Sequence, residues 1–386
     1  MNYTKSLLLI IASILIFSCE QDEKPELYYD KFHPGEIWKD NNGVHINAHG
    51  GGVLAHEDTY YWYGEHKIEG TEGNFAQVGV HCYSSKDLYN WKDEGIALEV
   101  IKDDPTHEIT KGCIIERPKV VYNKKTNRFV MFFHFEYKDR WYESSRAGVA
   151  ISESPTGPFT FVKSYRPNAG VWPQNVMEEQ KDLTNRAEKS YYGGGPGSLP
   201  AHADSVNMLG SHFDVGQMAR DQTVFVDDDG KAYHIYSSES NSTIHISLLS
   251  DDYLSESGVY HRIFPNSYHE APAFFKHKET YYMLSSGCTA WEPNAARLSS
   301  APHIFGPWTE IGNPTVGYNK KLDLGPEKTF GGQSTFVLPI EGEKETYIAM
   351  FDIWNPTDAI DGRYAWLPLT FKGNKVQIEW KDEWEY

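Results

Sequence analysis

The sequence predicts an all-β fold, a five-bladed β-propeller of four-stranded antiparallel blades, and three observations point to it. One pattern recurs five times: a polar residue, two or three small residues or prolines, an apolar strand, a polar turn and an aromatic-rich strand. Aromatic residues make up 14% of the 386 residues, beside 32 Gly and 20 Pro, which suits short strands and tight turns. No long stretch of helical periodicity follows residue 20.

The five units are HGGGVLAHEDTYYWYGEH from His49, ERPKVVYNKKTNRFVMFFHFE from Glu116, DQTVFVDDDGKAYHIYSSE from Asp221, EAPAFFKHKETYYMLSSG from Glu270 and QSTFVLPIEGEKETYIAMFDIW from Gln333. In each, turn residues such as Asp227-Asp228-Asp229-Gly230 follow the first apolar run, so the unit opens with a hairpin. A third strand comes next (VGVHCYSS, AGVAISES, IHISLLS, ARLSSA, YAWLPLTF), and a fourth often closes the unit, as in GPFTFV and GPWTEI. A β-sandwich needs no such repetition, whereas four-stranded units repeated about a centre make a propeller. Residues 20–40 are expected to pack outside the ring or close it. Residues 165–215 exceed what a blade needs, and long inserts are commonly functional.

The first nineteen residues carry Lys5, an apolar run from Leu7 to Phe17, then Ser18 and Cys19, too short a run to span a bilayer comfortably. Ile16-Phe17-Ser18-Cys19 resembles a bacterial lipobox; the alternative is an ordinary secretory signal with a chance cysteine. The expected organisation is a lipoprotein signal peptide over 1–18, an acidic tether over 19–34 after a lipidated Cys19, and a propeller over 35–386. The chain would be lipid-anchored to the bacterial outer membrane, facing the periplasm or the cell surface. A net charge of −18 with no Lys/Arg cluster makes nucleic acid an improbable partner. Cys82, Cys113 and Cys288 are left, with no metal-type spacing, and read as buried small hydrophobes, with one disulfide still open.

In a propeller the first strand of each blade lines the central channel, so His49, Glu116, Asp221, Glu270 and Gln333 should form one polar ring at a channel mouth. Glu65, Arg117, Arg220, Trp291, Arg297, Trp354 and Arg363 fall near strand ends facing the same way. Aromatic rings beside carboxylates suit a sugar, and cleaving a glycosidic bond takes one carboxylic acid to protonate the leaving oxygen and a second group to handle water.

The acid in ERPK, the aspartate in ARDQT and the glutamate in HEAPA resemble glycoside hydrolase family 43, over nearly all the chain from about residue 35. Within it NAHGGGVL, YYWYGEH, ERPKVVYN, EAPAFF, NAARLSSAP and GGQSTFVLP look most like the branch of exo-β-1,3-galactanases. The resemblance implies an inverting mechanism with Glu270 as general acid and Asp221 as its modulator or a substrate-orienting partner. The family's first-blade aspartate base is missing, since Ala48, His49 and Gly50 stand there. In the branch it resembles, the work falls to Glu116, a carboxylate near the reacting sugar, and to Gln333, beside the attacking water. Gln333 would either position that water or act as a base through its imidic tautomer, with Glu116 as the proton acceptor otherwise.

The implied activity is release of galactose from β-1,3-galactan, the backbone of arabinogalactan. An α-L-arabinofuranosidase or β-galactofuranosidase is the alternative within the family, and a non-catalytic cell-surface glycan-binding propeller is the alternative outside it. No cofactor is expected, although the polar channel has room for a calcium ion, and the only macromolecular partner expected is an oligo- or polysaccharide.

Overall fold

The computed structural model describes residues 28–186, 207–340, 346–373 and 375–386. The signal peptide, Cys19 and most of the tether lie outside the described residues, as does 187–206 of the insert. Among the described residues no helix is long and apolar enough to cross a membrane.

Five antiparallel sheets follow one another along the chain, each in simple strand order. Blade one comprises His49–His56, Thr59–Glu65, Gly79–Ser85 and Lys92–Glu99, and blade two Ile114–Asn123, Arg128–Glu136, Arg146–Ser152 and Thr160–Tyr165. Blade three comprises Gln222–Val226, Ala232–Ser238, Thr243–Leu249 and Glu256–Ile263, and blade four Glu270–His277, Thr280–Ser286, Arg297–Ala301 and Thr309–Gly312. Blade five comprises Gln333–Ile340, Thr346–Ile353, Arg363–Lys372 and Lys375–Glu379. It departs from the expected four strands, because the short Thr315–Val316 adds to its outer edge in parallel.

Every pair of neighbouring blades shares an apolar layer. Tyr63 and Cys82 meet Met131 and Phe133; Phe132 meets Val224; Ile235 meets Met283; Leu284 meets Ala349 and Leu367. The alternation along each strand produces this, since successive side chains point to opposite faces and both faces of a blade are covered. Blade five meets blade one through Trp62, Leu338, Ile348 and Trp366.

No strand is shared between the first and last blades, so other contacts must close the ring. The segment before blade one supplies them. Phe32 pairs with Trp384 through backbone bonds of 2.8 and 3.1 Å, and its ring packs on Trp38, Tyr89, Trp366 and Trp384. The Trp38 indole N–H donates to the Tyr89 carbonyl at 2.9 Å. The leading segment is therefore an apolar clasp holding the two ends of the wheel. Phe32→Ala is expected to cost about 3–5 kcal/mol of unfolding free energy, read by urea denaturation, with activity retained at moderate temperature. A loss below about 1 kcal/mol would mean the ring closes without the clasp.

Candidate active site

In each blade the start of the first strand and the end of the second lie at the same end, together with the loop that joins second to third strand. Those loops, 66–78, 137–145, 239–242, 287–296 and 354–362, rise around one channel mouth. Between them is a cavity of about 400 Å³. First-strand starts or the residues just before them give it Glu116, Arg117, Arg220, Asp221, Glu270 and Gln333; the loops give Lys67, Asn74, Phe75, Trp141, Tyr142, Cys288, Trp291 and Trp354.

The first strands enter through a shared distortion. Register slips after His49, Glu116 and Glu270, and the next residues, Gly50, Arg117 and Ala271, take φ of 62°, 53° and 53°. Only Gly adopts that conformation without cost, so Arg117 and Ala271 are held there by their surroundings. In all three bulges the freed amide caps a carboxylate on the preceding blade: Gly50 N–H reaches Asp352 at 2.5 Å, Arg117 N–H reaches Glu65 at 2.9 Å and Ala271 N–H reaches Asp221 at 3.1 Å. The bulges thus bind blades five to one, one to two and three to four at the mouth.

The Arg117 side chain crosses the centre. Its guanidinium lies 3.1 Å from Asp221, donates at 2.6 Å to Gln333 Oε1 and at 3.0 Å to the Ser334 carbonyl, and rests over the Trp354 ring. Beneath it the buried Lys119 ammonium donates to the Gly50 carbonyl at 2.9 Å; burial and the Arg117 charge pull its pKa down to about 7. Lys67 pairs with Glu65 at 2.6 Å.

Glu116 and Glu270 occupy contrasting settings. Glu116 accepts from Tyr142 Oη at 2.6 Å and from His134 at 2.9 Å, and the other nitrogen of His134 bonds Glu136 at 2.8 Å. Burial alone would raise the pKa of Glu116, but the His134 hydrogen bond and charge outweigh it and hold it at about 2. Burial disfavours a charged His134, yet its two glutamate partners raise it to about 9. Glu136 in turn accepts the Ser144 and Ser145 amides at 2.6 and 2.8 Å, which fixes the loop carrying Trp141 and Tyr142. Glu270 accepts from Asn241 Nδ2 at 2.6 Å; burial and then the nearby Asp221 push it up to about 7.

Gln333 is the amide among these acids. Its Oε1 accepts from Arg117 and, at 2.9 Å, from the Trp354 indole, while Nε2 donates to Ser286 at 3.0 Å. Arg and Trp can only donate, which fixes the orientation of the amide and gives an imidic O–H no acceptor at those partners. The arrangement therefore favours an ordinary amide with one Nε2 hydrogen left for water or sugar.

The sequence-derived ring is assembled except at His49. That imidazole is fully buried behind the wall, stacked on Tyr364 and 3.7 Å from Asp352, and blade one presents Glu65 instead. Two arginines also lie elsewhere. Arg297 and Arg363 begin third strands, two strands out from the channel, where Arg297 binds Glu310 and Arg363 binds Asp361. Arg220, Trp291 and Trp354 do line the cavity, with Arg220 over the Tyr142 ring. The described parts of the insert pack on blade three, where Tyr260 Oη bonds the Val171 carbonyl and Asn175 bonds the Arg262 backbone, and none of them lines the cavity. The three described cysteines are free; Cys82 and Cys113 are buried, but Cys288 is not a core residue and faces the cavity.

The sequence reading missed His134, Tyr142, Trp141, Phe75, Lys67 and Asn241. Two signals were available: His134 stands directly across from Glu116 in the hairpin register, and the loops after second strands in blades one and two are longer than hairpin turns. Glu116, His134 and Asp221 bring donor atoms within 4.8 Å of one another, the one cluster of that kind among the described residues. As a cation site the set fits poorly, because His134 is engaged on both nitrogens by Glu116 and Glu136 and Asp221 already faces the Arg117 charge.

A wheel of five sheets with paired carboxyls and aromatic rings at one channel mouth defines a polysaccharide-acting β-propeller. The family described as glycosyl hydrolases family 43 matches residues 201–349. A family 43 β-1,3-galactosidase crystallised with galactodeoxynojirimycin is 47% identical over 92% of this chain and 100% of that one, with a TM-score of 0.84. An exo-β-1,3-galactanase from Clostridium thermocellum is 33% identical over 92% of this chain and 66% of its own, with a TM-score of 0.72. An exo-β-1,3-galactanase from Phanerochaete chrysosporium, crystallised with β-1,3-galactotriose, is 28% identical over 92% and 68%, with a TM-score of 0.72. No curated protein matches the chain. The chain belongs to glycoside hydrolase family 43 and is a glycoside hydrolase.

The Glu116–His134 pair gives stability a definite pH dependence. Glu116, lowered from 4.5 to about 2, contributes stability above pH 4.5 that is lost as pH falls toward 2. His134, raised from 6.5 to about 9, contributes fully below pH 6.5 and loses it as pH rises through 9. The difference in unfolding free energy between wild type and His134→Gln should therefore be greatest between pH 4.5 and 6.5 and shrink on either side. Urea titrations across pH measure it, and a difference independent of pH would show that the imidazole is not charged in the fold.

Proposed function

We propose that this hydrolase releases galactose from the ends of β-1,3-galactan with inversion. The carrying observation is the pair of carboxyls in one cavity whose surroundings drive them apart: Glu270 holds its proton to about 7, and Glu116 is ionised down to about 2. The sugar identity rests on the kinship with β-1,3-galactosidases and exo-β-1,3-galactanases. End-on attack is supported by the cavity floor, where Arg117 and Lys119 close the channel, and by Trp141 and Trp291 standing exposed at the rim.

In this mechanism Glu270 transfers its proton to the glycosidic oxygen as the C1–O bond breaks, and the departing chain leaves with a free hydroxyl. Water held between the spare Nε2 hydrogen of Gln333 and Glu116 attacks the opposite face of the ring. Its proton becomes strongly acidic as the new bond forms and passes to Glu116, which can act despite its low pKa. Burial and then Asp221 keep Glu270 protonated in the free site, Trp354 offers a face for the sugar ring, and no cofactor takes part.

The first product from β-1,3-galactan should be α-galactose, seen by NMR before mutarotation. Glu270→Gln should lower kcat by about a hundred- to ten-thousand-fold and largely spare an aryl galactoside with a good leaving group. Activity should decline above pH 7 as Glu270 loses its proton. Arabinose released from aryl arabinofuranosides in place of galactose would reassign the substrate. Binding of galactan without turnover would make the chain a glycan-binding propeller.

We further propose lipid anchoring at Cys19 to the outer membrane, on the strength of Lys5, the apolar Leu7–Phe17 run and the cysteine after it. Cys19→Ala should move the protein from the membrane to the soluble fraction; unchanged fractionation would count against the anchor.

A further inference from the structure

The loop after the second strand of blade three is the shortest at the mouth. Glu239, Ser240 and Asn241 take φ of 51°, 59° and 63°, three left-handed residues in succession, and the run 239–242 contains no glycine. A turn serving only to join two strands would use Gly or Asn-Gly at such positions. Left-handed non-glycine residues persist only where their surroundings impose them.

Here the surroundings are explicit. The buried Glu239 carboxylate accepts from Arg262 Nε and Nη2, both at 2.6 Å, and bonds His245 Nε2 at 2.8 Å. The Glu239 carbonyl accepts from Ser242 Oγ at 2.7 Å. The Ser242 carbonyl accepts the Ser267 and Tyr268 amides at 2.9 and 3.1 Å, tying the turn to the chain that runs into Glu270. Arg262 is itself steadied by the insert, since Asn175 bonds its backbone N–H and carbonyl at 3.0 and 2.7 Å. The turn so held places Asn241 Nδ2 at 2.6 Å from Glu270 Oε1.

We propose that Asn241 is a positioning residue that sets how readily Glu270 gives up its proton, and that the Glu239–Arg262 ion pair exists to hold it in that place. The inference rests on Glu270 being the general acid. When Glu270 protonates the glycosidic oxygen it is left as a buried carboxylate, and a preset N–H donor stabilises the state after transfer more than the state before. The other charged or titratable groups facing Glu270 are Asp221, which opposes its ionisation, Arg220 and Arg117, which favour it, and the Cys288 thiol, itself pushed up by burial. The neutral thiol also bonds Glu270, and Asn241 is the amide donor, at 2.6 Å.

Asn241→Gly tests this, because glycine accepts the left-handed conformation freely while the donor is removed. Removing it should raise the proton affinity of Glu270. The alkaline limb of kcat/KM on β-1,3-galactan should move up by about one to two pH units and kcat should fall about tenfold, with Tm unchanged or higher. Glu239→Gln should move the limb in the same direction while lowering Tm. The Glu270 carboxyl can also be titrated without substrate by infrared difference spectroscopy, with Glu270→Gln as the blank. An upward shift in Asn241→Gly supports the assignment even if no galactan is turned over, in which case only the substrate reading fails. An unmoved carboxyl titration, or an activity loss that merely follows Tm, overturns it.

Discussion

Arg117 is the side chain on which the centre of this propeller depends. Five sheets converge there, and their first strands bring acids with them. A buried carboxylate without a partner is costly, and so is a buried guanidinium. Arg117 meets both costs together: its amide caps Glu65 on blade one, and its guanidinium faces Asp221 before blade three and bonds Gln333 and the Ser334 carbonyl on blade five. One residue of blade two thereby joins three other blades. Removing it would strip partners from several groups at once, so the effects of substitutions around it should not add.

The wheel was legible in the sequence because its signal is periodic. Five polar-apolar-turn-aromatic units fix five hairpins, and the same alternation places Tyr63, Phe133, Met283 and Leu367 in the layers between blades. The fifth strand of blade five was not legible, since Thr315–Val316 is two residues long and pairs in parallel with a strand far along the chain. The same limit applies to the clasp: residues before blade one could be expected to close the ring, but only three dimensions bring Phe32 onto Trp366 and Trp384.

At the site, chain position and side-chain direction parted company. Glu116, Asp221, Glu270 and Gln333 were readable as strand starts converging on one mouth, and they do line one cavity. His49 occupies the equivalent place and carries the same bulge, yet its ring is buried in the wall between Tyr364 and Trp354, while Glu65 at the end of the neighbouring strand lines the cavity. Arg297 and Arg363 also lie at strand ends, but on third strands, so nearness to an end did not mean nearness to the axis. Nothing in composition reports a bulge, and a strand start alone does not say whether its side chain meets the cavity or the wall.

The glutamine among the acids follows from the charge balance. Glu65, Glu116, Asp221 and Glu270 already face one cavity, with Lys67, Arg117 and Arg220 opposing them. A fifth carboxylate in place of Gln333 would add like charge and raise the proton affinity of Glu270 further, making it a weaker acid. It would also give up the N–H bonded to Ser286 and the spare hydrogen beside it. The amide oxygen accepts from Arg117 and Trp354 without adding charge, and the amide nitrogen still presents a donor. Where acids must be kept apart in proton affinity inside one pocket, an amide is the residue that completes the ring without disturbing them.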